Sequence, residues 1–176
     1  MYPDLPLVGI EPAVKPAAQN HRGEKVAVMA TPLTLHEEKF KQLVKRYENL
    51  ATIIPVPCPD LVEYVEKGIL EGPELEGYLK DVLTPCLQEG IKAVVLGCTH
   101  FPLVKAAIGK VVGESVRIYD GGEGTARQAK CLLAAKNLCT DQEKGHICFE
   151  SSAPEKEAYY EALYRKAAHI DSRVKL

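Results

Sequence analysis

An α/β fold, built as a mostly parallel open sheet with helices on both faces, is predicted by three features of these 176 residues. Short apolar runs alternate with stretches in which apolar residues keep the helical period, the signature of right-handed βαβ units. One run, Ala93-Val94-Val95-Leu96, is apolar throughout, as a strand covered on both faces requires. The length suits one globular domain, or a domain and a fragment, on a prior of roughly 100–200 residues per domain.

Taken in order, Lys25-Val26-Ala27-Val28-Met29-Ala30 reads as a buried strand ending in Thr31-Pro32. The next helix is expected to open at Thr34 as N-cap, with Glu37 completing a capping box. Phe40, Leu43, Val44, Tyr47 and Leu50 form its apolar stripe. Thr52 to Val56 is a second strand, and Pro55 assigns it to an edge or a strand end. Asp60 and Glu63 are placed to cap a short helix running to Lys67. A longer helix covers Pro73 to Glu89, with Leu75, Tyr78, Leu79, Val82, Leu83, Cys86 and Leu87 on one face. Pro85 should kink it or divide it. After the Ala93–Leu96 strand come a turn over residues 97–102, a short helix from Leu103 and a strand over Val116–Tyr119. Asp120-Gly121-Gly122-Glu123-Gly124 reads as a loop before a helix from Thr125 to about Leu138. A strand near His146–Phe149 and a helix capped by Ser152 and Glu155, running to about His169, close the chain. The tail Arg173-Val174-Lys175 carries no signal.

Composition excludes several function classes. A formal charge of -2 argues against a nucleic-acid surface or a polybasic membrane face. No run approaches the 18 apolar residues or so of a membrane helix, and the N-terminus lacks the pattern of a secretory signal. A cytoplasmic setting is expected. The six cysteines include no CxxC pair, so neither a zinc site nor a thioredoxin-like redox site is expected. Most of them read as small buried hydrophobes.

Chemistry in an open α/β sheet sits outside the carboxyl ends of its strands, here Thr31, Cys58, Cys98-Thr99-His100 and Asp120. Cys98 directly follows the buried strand. Gly97 lets the chain turn, and a helix begins within a few residues, so backbone N–H groups favour thiolate over thiol. His100 is placed to steady that thiolate or to move a proton. Taken singly, Cys98 reads as a packed thiol and His100 as a loop histidine; together in one turn they point to a site. The glycines after Asp120 suit a sharp turn into a helix better than a phosphate cradle, because the GxGxxG spacing is missing and Glu123 stands where an anion would lie. Glu63, Glu66 and Lys67 read as a solvated helix face.

Gly97-Cys98-Thr99-His100-Phe101-Pro102-Leu103 resembles the second catalytic-cysteine motif of the glutamate racemases. Val8-Gly9-Ile10-Glu11-Pro12, Lys15-Pro16-Ala17, Ala30-Thr31-Pro32, Cys58-Pro59 with Val65-Glu66 and Gly68, and Asp120 with Glu123 and Thr125-Ala126 are similar to further blocks of that family. The resemblance covers roughly residues 1–165. It implies that residues 1–117 form the family's second, flavodoxin-like racemase domain, and that residues 118–176 are a partial second domain here, the segment that in the family crosses back to complete the first domain, otherwise missing. It implies a cofactor-free enzyme, without metal, that interconverts L- and D-glutamate and supplies D-glutamate for peptidoglycan. A homodimer is its candidate assembly. Cys98 would act on L-glutamate, His100 would assist it, Thr99 would hold substrate, and Glu66 would support this half of the site. The family's Phe-Asp-Ser-Gly segment and its Cys-Asn-Thr-Ala motif, which carries the first catalytic cysteine, do not occur in the sequence. A chain truncated relative to the family, starting near its midpoint on the approach to a Gly9–Pro12 strand, is therefore expected. Two alternatives stay open: a non-catalytic α/β module that binds an acidic metabolite or a partner, and a flavodoxin-like nucleotide binder.

Overall fold

Strand formation follows the apolar runs closely in the computed structural model, which describes residues 6–140 and 145–171. β1 (Lys25–Ala30), β2 (Thr52–Pro57), β3 (Ala93–Leu96) and β4 (Arg117–Tyr119) form one sheet in the order β2-β1-β3-β4. Every pairing is parallel, with Val26 opposite Ile53 and Ala93, and Val95 opposite Tyr119. β2 is an edge, as its prolines require. β4 straddles residues 117 and 118.

Alternation along the strands divides the core between two faces. Val26, Val28, Ala93 and Val95 pack with Val14, Ala17 and Ala18 of α1 (Val14–Asn20) and with Phe40 of α3 (Glu38–Tyr47). Ala27, Met29, Val94 and Leu96 pack with α4 (Leu61–Glu66), α5 (Pro73–Gln88) and α6 (Lys105–Val112). Leu163 of α8 (Glu157–Asp171) joins the second cluster. α1 is pinned to β4 by Tyr119, whose hydroxyl accepts from Asn20 Nδ2 at 3.2 Å and lies 3.2 Å from His21 Nε2.

Several local expectations are corrected. The residues after β1 form a separate short helix α2 (Pro32–His36), and its N-cap is Thr31, whose hydroxyl accepts from the Thr34 N–H. The next helix starts only at Glu38, because Glu37 is extended. Asp60 stands at the N-cap of α4 without a side-chain capping bond. Pro85 does not divide α5. The proline is on the exposed side, so water can reach the carbonyl it leaves unbonded, while buried Leu79, Leu83 and Cys86 hold both halves on the core. The turn after β3 becomes a 3-10 helix at Phe101–Val104. α7 (Gly122–Ala135) begins three residues before Thr125, so two of the glycines form its first turn.

Residues 145–150, which include the expected His146–Phe149 strand, have no regular structure, as do residues 6–12, where a Gly9–Pro12 strand is expected. Ser152 does not cap the last helix; a 3-10 turn at Pro154–Lys156 precedes it, and Ser151 Oγ accepts from the Ala153 N–H. The Met1–Leu5 approach and the Arg173–Lys175 tail lie outside the described residues. Among the described residues no helix is long and apolar enough to cross a membrane.

Candidate functional site

Gly97 is the first requirement of the site. Its N–H donates to the Met29 carbonyl at 2.8 Å, carrying the β3–β1 ladder one residue past the strand. A Cβ at this position would lie 2.8 Å from that same oxygen, so only glycine lets the backbones approach this closely. The chain then turns sharply, with Phe101 N–H donating to the Cys98 carbonyl at 3.2 Å and Leu103 N–H to that of His100 at 3.1 Å. Phe101, fully buried, anchors the turn in the core. The turn leaves Cys98 and His100 half-buried and Thr99 exposed.

Two of the expected residues meet across this turn and a third comes from far away in the chain. Cys98 Sγ lies 3.8 Å from His100 Nδ1. His100 Nε2 donates to Glu66 Oε1 at 2.9 Å, and Glu66 is the last residue of α4. Glu66 therefore is not simply part of a solvated face: its side chain is 42% exposed and that of His100 32%. Sulfur, imidazole and carboxylate form one chain along which a proton can move and charge can spread.

The thiol opens on a cleft of about 460 Å³, within the usual range of small-ligand sites. Leu96, Gly97, Cys98, Thr99 and Pro102 form one wall, and Thr34, Glu37, Lys39, Phe40 and Leu43 another. Ile10, Glu11 and Pro12 close it against Asp120 and Gly121. A Cβ on Gly121 would lie 2.7 Å from the Glu11 carbonyl, so this glycine lets the N-terminal segment approach. Asp120 is tied on both oxygens: Oδ2 to Lys105 Nζ at 3.0 Å, and Oδ1 accepts from Gly122 N–H at 3.0 Å. That bond occupies an N–H a bound phosphate would need, which weighs against the nucleotide-binding alternative.

Sequence reasoning did not assign Lys39 any part, read Thr34 and Glu37 only as a capping box, and gave Ile10–Glu11 no place in the site. The position of Thr31 at a strand end was the one signal that pointed to this wall.

The other cysteines divide into two buried, Cys58 and Cys86, the latter on the core face its helix spacing predicts, and three exposed. Cys58 is fully buried; its Sγ–H donates to the Val56 carbonyl at 3.4 Å, and burial pushes its pKa up to about 12. Burial also raises that of Cys86. Cys131, Cys139 and Cys148 are exposed rather than buried, since α7 has no buried residue and residues 145–150 pack little into the core.

Comparison with known proteins matches residues 2–129 to a family described as Asp/Glu/hydantoin racemase. A glutamate racemase of Clostridium perfringens (strain ATCC 13124) is 44% identical over 156 residues, which is 88% of this chain and 60% of that protein. One of Clostridium kluyveri is 49% identical over 140 residues, 80% of this chain and 54% of its own. The chain thus spans less than two thirds of the curated relatives it matches. Among solved structures, Escherichia coli glutamate racemase in complex with L-glutamate and the activator UDP-MurNAc-Ala superposes with a TM-score of 0.74 at 31% identity, over 93% of this chain and 62% of that one. The Francisella tularensis glutamate racemase in complex with D-glutamate gives 0.60 at 27% identity, over 73% and 47%.

Proposed function

Because the chain belongs to the Asp/Glu/hydantoin racemase family, we propose that its cleft is one half of a glutamate racemase site, acting on the Cα–H of L-glutamate. The observation that carries this reading is the Cys98–His100–Glu66 chain, whose thiol residue lines a cleft. Cys98 as thiolate takes the α-proton and leaves a planar carbanion. His100 lies against the sulfur and balances its charge before transfer. Glu66 accepts from the far nitrogen, fixing the ring so that Nδ1 faces sulfur. Thr99, exposed beside the thiol, contacts the substrate. Lys39 is placed to meet a carboxylate, and Glu11 and Glu37 the ammonium group.

A proton returned by Cys98 itself restores the starting enantiomer, because one thiol serves only one face of the carbanion. Inversion needs a second acid on the opposite face. In the family resemblance that acid is the cysteine of the Cys-Asn-Thr-Ala motif, which these 176 residues do not contain. The product of a complete site would be D-glutamate for peptidoglycan, made in the cytoplasm without a cofactor, and a homodimer is the assembly to test.

The experiment is hydrogen exchange at Cα. In deuterated water the chain is expected to remove the α-proton NMR signal of L-glutamate while optical rotation stays constant. An L-glutamate α-proton that persists with the chain present, or exchange that survives Cys98→Ala, would overturn the reading. A second reading, a non-catalytic module that binds an acidic metabolite or a partner, draws on α7, none of whose residues is buried and which is followed by exposed Leu138. It expects binding without exchange.

A further inference from the structure

We infer that Tyr159 and Lys166 of α8 are positioning residues for the Cys98–His100–Glu66 chain, acting by capping the helix that carries Glu66. The inference rests on the racemase-half reading for what that chain does, but its observations are independent of it.

α4 is six residues long, too short to be stable by itself, and its last carbonyls need donors from elsewhere. Lys67 and Gly68 N–H groups serve the Glu63 and Val65 carbonyls, and Ile69 N–H serves Tyr64. The Glu66 carbonyl accepts instead from the Tyr159 hydroxyl, and the Gly68 carbonyl from Lys166 Nζ at 2.6 Å. Tyr159, Leu163 and Lys166 follow the i, i+4, i+7 spacing of one helical face. Leu163 is buried in the core between the two polar contacts. α8 is therefore clamped across the end of α4 at three points, with an ammonium at a helix C-terminus, where the dipole favours it.

The consequence reaches the sulfur. Glu66 holds His100 through its side chain and meets α8 through its backbone. If the last turn of α4 frays, the carboxylate moves and the imidazole loses its far partner. The titratable groups around this point are His100 and Tyr159 facing Glu66, Tyr160 beside Tyr159, the Glu63–Lys67 pair on α4 itself, and Lys166.

The test is the pH profile of Cys98 alkylation by iodoacetamide, read by mass spectrometry on the tryptic peptide 93–105, in which Cys98 is the single cysteine. Thiolate is the reacting form, so Glu66→Gln should slow alkylation near neutral pH and leave the alkaline plateau unchanged. Tyr159→Phe is expected to slow it in the same way, by about threefold at pH 7, and Lys166→Met by less. Arg165→Met, which breaks a pair with Glu161 on the same helix, should leave the profile in place. Lys166→Met keeps the aromatic ring and Leu163, so it reports even if the tyrosine variant loosens α8. A profile moved by Glu66→Gln and His100→Asn but by neither α8 variant overturns the inference alone. A profile moved by none of the four overturns the Cys98–His100–Glu66 reading along with it.

Discussion

Cys58 and Cys98 follow the carboxyl ends of β2 and β3, the two strands that flank β1. Both turns are tied to β1, through Cys58 N–H to the Ala30 carbonyl at 2.9 Å and Gly97 N–H to that of Met29 at 2.8 Å. Their fates differ because of what covers them. Pro59 and Asp60 lead straight into α4, whose Leu61 and Val65 are fully buried in the cluster that encloses the Cys58 sulfur. Thr99 and His100 leave the Cys98 sulfur at a cleft, with an imidazole as its partner. The same residue type at the same kind of strand end becomes packing in one case and a candidate acid–base group in the other. Position in the fold nominates a site, and the neighbouring side chains decide it.

The largest test of this contrast is catalytic. Cys98→Ala should reduce α-proton exchange of L-glutamate by about 10³-fold, the usual worth of a positioned acid–base group, whereas Cys58→Ala should retain it; NMR of the α-proton reads both. Next comes chemical access. In the native protein, iodoacetamide should label peptide 93–105 at least about 100-fold faster than peptide 47–67, which carries Cys58. Equal labelling would erase the contrast. A smaller effect concerns the backbone that sets Cys98 in place. Gly97→Ala drives a Cβ against the Met29 carbonyl and should cost about 1–3 kcal/mol in urea unfolding.

The smallest effect is a pH slope. The Cys58 thiol rises from 9.0 to about 12 on folding. Between those values the unfolded chain gives up a proton that the native chain keeps, so stability falls as pH rises; below 9 this group contributes no dependence. From pH 9 to 10 the parent should lose about 1 kcal/mol that Cys58→Ala does not lose. Tyr78, pushed by burial from 10.0 to about 12, adds a smaller decline that begins near the top of this window and is shared by parent and variant. Denaturant titrations at the two pH values measure the difference.

Much of the framework was legible in the sequence because it is governed by local backbone preference. The Lys25–Ala30 and Ala93–Leu96 strands have their expected ends, since unbroken apolar runs bounded by Pro, Gly or Thr leave few alternatives. Local chemistry also misled. Thr34 was expected to cap where Thr31 does, because several hydroxyls near a helix start offer equivalent bonds and the path of the chain selects one. His146–Phe149 has strand-like residues, but among the described residues it joins none of the four paired strands. The thiol and imidazole of the site were legible as neighbours two residues apart. The cleft wall at Glu37 and Lys39 was not, since nothing in their own stretch distinguishes them from a solvated helix start.

Alone, then, the order of amino acids determined the alternation of strands and helices, the parallel sheet it entails and the Gly97–Leu103 turn that bears a thiol beside an imidazole. The elements and the turn depend on residues close together in the chain, and the parallel direction follows because each helical crossover returns the next strand the same way. Tertiary structure alone decided that Glu66 meets His100 across 34 positions, that α8 caps α4, and that of two strand-end thiols one is sealed and the other open. Solvation and pairing of a side chain depend on distant segments, whose approach is fixed only when the whole core packs.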